Sequence, residues 1–509
     1  MSPTPHANST FRTASRWAAI SAVVIILTWC LVIGWWQSTQ RVITTADTLA
    51  YLIALPLMLL LCVFVASKLH GTVKHSQPPS AGGATTTSPT EAEDVRPGTS
   101  TGSALPILAT WAATCLAPDQ EGFVEQLIAQ RSRPNPDHTL TDTQGFPVLA
   151  GRALNLDTEA IDQNLRQLLA ARKADPDNEH WRDSLTRALA LLESLLNQVL
   201  TDWPLPGSAA ENASVPSGMA PILRGSSGLT APDGDFLQLH VILLVPTDFP
   251  APERLLAEEF VAQRLALLSC PGERTFNVIT AMDDTSALAA ADEFRRTSLH
   301  DTVPRALLLL ACDSRLCPTV IEDLENQQKL FDSARPDGLM VGEAAFGALF
   351  SNQKALQMTG IEAACALTPV FRTQRPHSAD APARPSCQAL QQTVGAALEA
   401  SGIASAQLGA VACDADHRAS RTLESIAVMS AHTPQLDAIR HRLATNEACG
   451  HLGTTSVPAL LVAGVTRCAD AGHPVLLFNV SHDLDRAAAV LIPAAARITR
   501  GETDLPHVA

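Results

Sequence analysis

Cys413 and His417, four residues apart, and Cys449, two residues before His451, are the sulfur and imidazole groups whose spacing could support chemistry. A thiol beside an imidazole can carry an acyl group, because the imidazole takes the proton and leaves a nucleophilic thiolate. A metal site could also be drawn from these four, but no spacing among them matches a structural zinc pattern. Met282 stands where a strand-like run, Phe276 to Ala281, gives way to a helical one, and a thioether there has no proton to lose. Asp283 and Asp284 read as acids that cap the helix start and complement its dipole. Glu343 lies in an apolar, glycine-containing run, and Asn446 is an amide five residues before His451. No Gly-x-Ser-x-Gly elbow and no GxxxxGK[ST] loop is present, so a serine hydrolase or a P-loop phosphate site lacks its residues. No cofactor and no metal is expected.

The elements that would position these side chains follow from periodicity. Leu237 to Val245 and Arg305 to Ala311 are apolar runs of buried-strand length. Glu253 to Leu268, Trp181 to Leu200 and Cys387 to Ala400 have helical spacing. Strands alternating with helices imply an α/β domain with a largely parallel sheet. Pro204 to Gly234 reads as a Pro/Gly/Ser-rich loop, a lid or an insertion. Gly71 to Ser103 reads as a flexible tether.

Two runs carry a family resemblance. Phe331-Asp332, with Pro336-Asp337-Gly338-Leu339-Met340-Val341-Gly342-Glu343-Ala344-Ala345-Phe346-Gly347, precedes Gly450-His451-Leu452-Gly453. Together they resemble the motifs of the ketosynthases of the thiolase superfamily, with weaker similarity extending from Leu105 to Pro493. The resemblance implies a thiolase-like layered αβαβα fold with two related halves. It also implies where the reactive groups would stand. Met282 takes the place of the nucleophilic cysteine, Cys413 that of the first histidine and Asn446 that of the lysine. His451 is the retained second histidine, and Glu343 the retained acid whose lysine partner is gone. His417 could replace the first histidine only if its loop changed register. Arg421 stands at a family aspartate. Asn479 to Arg486 replaces a glycine-rich gate, and its charged, bulky residues would block the close backbone approach that glycines allow.

A kept fold and a discarded reaction are therefore expected, with the old pocket narrowed or plugged and His451 held by hydrogen bonds inside its packed motif. The resemblance implies a pseudo-enzyme, a homodimer formed through Asn277 to Thr280, and a scaffold for a client. The expected client is an acyl carrier protein, an acyl chain or a component of an envelope-associated assembly such as a bacterial secretion system. The alternative is a non-catalytic partner of an active ketosynthase in fatty acid or polyketide synthesis. An enzyme using His451 with His417 or Cys413 is a third reading.

The first 70 residues are of another kind. Trp17 to Trp36 and Leu49 to Ser67 are apolar runs long enough to cross a bilayer, with tryptophans at the edges of the first. Arg12 and Arg16 before the first run, and Lys68 and Lys74 after the second, put both termini in the cytoplasm. The expected organisation is a tail over 1–16, membrane helices over 17–36 and 49–67, and a loop over 37–48. A linker over 71–103 then leads to a ketosynthase-like domain over 104–495 at the inner membrane. A net charge of −15 argues against a nucleic-acid partner, which needs a basic surface. Eleven cysteines without framework spacing fit free thiols in a reducing compartment.

Overall fold

The computed structural model describes residues 104–172, 181–205, 237–268, 274–280, 285–381 and 386–494. The expected spans 17–36 and 49–67, the linker 71–103, Met282 and most of the Pro204 to Gly234 loop lie outside the described residues. Among the described residues no helix is long and apolar enough to cross a membrane.

The first half contains β1 (Leu105–Thr114), α1 (Gln120–Ala129), β2 (Asn135–Thr141), β3 (Pro147–Gly151), α2 (Thr158–Ala171) and α3 (Asp183–Thr201). It continues with β4 (Gln238–Val245), α4 (Ala251–Leu265), β5 (Arg274–Thr280), α5 (Ser286–Ser298), β6 (Arg305–Ser314), α6 (Pro318–Asn326) and β7 (Val341–Ser351). After α7 (Gln353–Thr359) the second half contains β8 (Cys365–Leu367), β9 (Phe371–Gln374), α8 (Gln388–Ser401), β10 (Ala410–Cys413) and α9 (Ala419–His432). It ends with β11 (Arg442–Ala444), α10 (Thr445–Cys449), α11 (Ser456–Ala471), β12 (Val475–Phe478) and β13 (Asp485–Pro493).

The strand order is β11-β10-β12-β13-β8-β1-β7-β6-β4-β5. Read outward from the β1–β8 seam, the halves correspond strand for strand: β1 with β8, β7 with β13, β6 with β12, β4 with β10 and β5 with β11. The senses agree too. β4 is parallel to β5 and β6, and β6 is antiparallel to β7. β10 is likewise parallel to β11 and β12, and β12 is antiparallel to β13. An antiparallel contact between β1 and β8 joins the halves. The two related halves implied by the motifs are present.

Helices cover both faces of these strands, which is why the strands read as near-continuous apolar runs rather than alternating ones. Leu307, Leu309 and Ala311 of β6 face one core with Leu288 of α5 and Leu460 of α11. Leu308, Leu310 and Cys312 face another with Leu189 and Leu196 of α3. In the second half Leu477 and Ala489 join the shared central core, while Leu476 and Val490 face Val394 of α8. Cys312 is buried among these apolar side chains, and Cys317 in a separate cluster with Leu316, Val320 and Val341.

One expected boundary is wrong. The helix predicted to begin at Met282 begins at Ser286, and its first turn contains no acid. Asp283 and Asp284 lie outside the described residues.

Candidate functional site

The two motifs that carried the resemblance are bonded to each other. His451 N–H donates to the Met340 carbonyl at 2.6 Å, and Gly342 N–H donates to the His451 carbonyl at 3.1 Å. These bonds form a parallel bridge between Val341 and His451. Glycine is required on both sides. A Cβ on Gly342 would lie 2.4 Å from the Cys449 carbonyl oxygen, and one on Gly450, whose φ is +80°, would lie 2.5 Å from the Val341 oxygen. His451 is thus fixed through its backbone, as expected.

Its ring makes a second link. Asn446 Nδ2 donates to Ser456 Oγ at 3.1 Å and to Ser481 Oγ at 3.2 Å, and Ser481 Oγ lies 3.3 Å from His451 Nδ1. With Asn446 as donor, the Ser481 hydroxyl proton is directed to Nδ1, which suits a neutral imidazole. Burial, with the positive charges of Arg315, Arg418 and Arg421, holds the His451 pKa well below the ordinary value of 6.5. Asn446 Oδ1 is buried without a hydrogen-bond partner among the described residues.

The other expected positions separate from this cluster. Cys413 is fully buried in β10, in the core with Val411, Phe478 and Val480. Burial pushes its thiol up to about 11, so at pH 7 the thiolate is on the order of one part in ten thousand. His417 packs edge-on against Phe331 with ring centroids 5.4 Å apart. Cys449 meets Cys115, whose Sγ lies 3.9 Å from the Cys449 carbonyl oxygen. Glu343 has a new cationic partner. Arg187 of α3 donates to it at 2.8 and 2.5 Å, Ser314 Oγ at 2.7 Å and Ala153 N–H at 2.8 Å. The acid expected to have lost its partner is fully paired.

The glycine-free stretch that replaces the gate is stapled by side chains. Asp414 Oδ1 accepts N–H groups from Val480 at 2.5 Å and Ser481 at 3.0 Å. Asn479 bonds Ala487 N–H and the Asp485 carbonyl, and His482 Nδ1 accepts Asp485 N–H at 2.9 Å. Arg486 donates to Glu424 of α9 at 3.0 and 2.8 Å, and Arg375 binds the same carboxylate.

In front of this stretch lies a cavity of about 710 Å³, reached by His451, Ser481, Arg418, Arg421, Asp380 and Lys329. The expectation of a narrowed or plugged pocket turns on Met282, which lies outside the described residues. Of the residues that replace the glycines, Ser481, His482 and Asp483 line this cavity, and Arg486 is held by Glu424. Arg418 and Arg421 both donate to the Ser481 carbonyl at 3.2 Å. Both also reach one oxygen of Asp380, at 3.2 and 2.8 Å. Arg418 has a second carboxylate, Asp416, at 2.8 Å. This arrangement can hold an oxyanion. It places no thiol beside His451 among the described residues.

No family model matches the chain, and no curated protein matches it. Solved structures do. The ishigamide ketosynthase/chain length factor aligns with 77% of this chain and 100% of its own, at 16% identity and a TM-score of 0.50. The ketosynthase from module 1 of the bacillaene synthase of Bacillus amyloliquefaciens FZB42 aligns with 80% of this chain and 75% of its own, at 11% identity and a TM-score of 0.49. The chain has the ketosynthase fold.

On that fold the sequence reading missed the cavity's cationic wall. Arg421 at a family aspartate was the one visible signal. Its meaning depends on Ser481 and Asp380, which are distant in sequence. Arg187, the partner of Glu343, carries no motif.

Proposed function

We propose that this chain is a non-condensing protein of the ketosynthase fold that works by binding. It is held at the inner membrane by residues 17–36 and 49–67, with its folded part in the cytoplasm. The observation that carries the non-condensing part is the Asn446–Ser481–His451 chain. The lysine position is an uncharged amide committed to two hydroxyls, and the histidine is neutral and bonded to one of them. Cys413 in its apolar strand supports the same reading, and so does Asp414, which occupies the two N–H groups of the gate stretch. An oxyanion site needs free donors at the reacting atom. Met282, by its place in the sequence, supplies no nucleophile.

Purified full-length chain incubated with acyl and malonyl thioesters is expected to give no condensation product and no carbon dioxide above buffer. Turnover would sink the reading. Deleting residues 1–70 is expected to release a folded protein that fails in the cell. Full complementation by that fragment at native expression would remove the anchor from the proposal.

A second reading, a non-catalytic partner of an active ketosynthase, uses the same strand as the expected homodimer, β5. It ends the strand order, its other edge has no partner among the described residues, and Arg274, Thr275 and Asn277 are exposed. An open edge can pair with another chain. Recovery from native membranes separates the two: a homodimer with a client supports the scaffold, and a one-to-one complex with an active ketosynthase supports the partner.

A further inference from the structure

The cavity in front of His451 holds an ion arrangement that the non-condensing reading does not use. Arg421 is fully buried, and Arg418 is 6% exposed. Among the described residues, Arg421's one carboxylate at ion-pair distance is Asp380. That carboxylate is itself 47% exposed and lines the cavity. A single oxygen of Asp380 bridges the two guanidiniums, whose fork geometry suits a carboxylate or a phosphate. Burial works to raise the pKa of Asp380, yet Arg421 and Arg418 outweigh it and hold the group below the usual carboxylate range.

The balance of charge points the same way. Lys329, Arg335, Arg418 and Arg421 line the cavity against Asp337, Asp380 and Asp483, together with His451 and His482. With Asp380 turned outward, Arg418 keeps Asp416 and Arg335 keeps Asp332, and Arg421 is the guanidinium that loses its carboxylate. The chain as a whole has a net charge of −15, so its overall acidity does not account for such a wall. A volume of about 710 Å³ is that of a small-molecule site.

We propose that Arg418 and Arg421 are a receptor for the oxyanion head, carboxylate or phosphate, of a small ligand, and that Asp380 occupies this receptor from within the chain. A ligand enters by displacing Asp380 into solvent. The proposal rests on the reading of this fold as a binding protein.

The test is the thermal unfolding midpoint of the full-length chain titrated with malonate or inorganic phosphate at constant ionic strength. Asp380→Asn is expected to lower the midpoint. Malonate or phosphate is then expected to restore it saturably, at a half-saturating concentration at least about tenfold below that of the wild type, a gap of about 1.4 kcal/mol. Adding Arg421→Gln to Asp380→Asn is expected to abolish the response. A response to malonate alone assigns a carboxylate head, and one to phosphate alone a phosphate head. Equal responses in wild type and Asp380→Asn would overturn the proposal, and so would a linear, non-saturating rise. Should Asp380→Asn not fold, Asp380→Ser is titrated in its place, and absence of the response there overturns the proposal equally. Turnover of acyl thioesters would remove the non-condensing reading and leave this titration unaffected. A flat titration would remove the receptor and leave that reading standing.

Discussion

Two guanidiniums around one carboxylate occur twice in the second half, three residues apart along α9. Glu424 lies between Arg375 and Arg486, with side-chain exposures of 1%, 5% and 0%. Asp380 lies between Arg418 and Arg421 and is 47% exposed. Helix α9 supplies a member of each, Glu424 to the first and Arg421 to the second. The first cluster is dry, so each partner is needed to offset the burial of the others. The second opens on a cavity, so solvent or a ligand can replace the carboxylate. The same chemistry is a structural staple in one place and an exchangeable site in the other, and burial decides which.

Glu424→Gln is the substitution expected to cost most. It leaves Arg375 and Arg486 buried without a counter-charge, a loss of about 3–5 kcal/mol, read as a lower urea midpoint with an unchanged slope. A loss below about 1 kcal/mol would erase the distinction between the clusters. Asp380→Asn is expected to cost less, about 1–3 kcal/mol, because its carboxylate is already half in water although Arg421 is not. Unlike the Glu424 variant, it should recover with malonate or phosphate.

A smaller effect is expected from pH. The unfolded chain regains an ordinary imidazole value near 6.5 at His451, while the folded chain holds it well below. Between the two values the unfolded state binds a proton and the folded state does not, so stability falls as pH drops below 6.5. His451→Gln is expected to flatten that part of the stability-versus-pH curve, by at most one proton, or about 1.4 kcal/mol per pH unit. An unchanged slope would mean that His451 is not held neutral. The smallest effect is expected from Met282→Cys alone. It should give no condensation, because Asn446, Cys413 and Asp414 are unchanged. Product formation by that single variant would show that the nucleophile was the one missing part.

The fold was legible where glycines and strand lengths record local constraints. Gly342 and Gly450 mark a contact that tolerates no Cβ, and the apolar run of β6 marks a strand covered on both faces. The end of the β5-to-α5 turn was not legible, because Asp283 and Asp284 satisfy a helix-start pattern several residues before α5 begins. The charged wall of the cavity was illegible for another reason. Arg418 and Arg421 acquire their role from the Ser481 carbonyl and from Asp380, and a backbone oxygen leaves no trace in a sequence. The same holds for Arg187, which meets Glu343 across 156 positions. The substituted gate read as an obstruction because its side chains are large. Asp414 binds its backbone N–H groups and Glu424 binds Arg486, while His482 and Asp483 line the cavity.

The central claim is that no side chain of this chain accepts an acyl group. Its most direct test is the intact mass of the full-length protein after incubation with excess acyl thioester at neutral pH. The unmodified mass is the predicted result. An added acyl mass, mapped by peptide fragmentation to Cys413 or to any other cysteine, would contradict it.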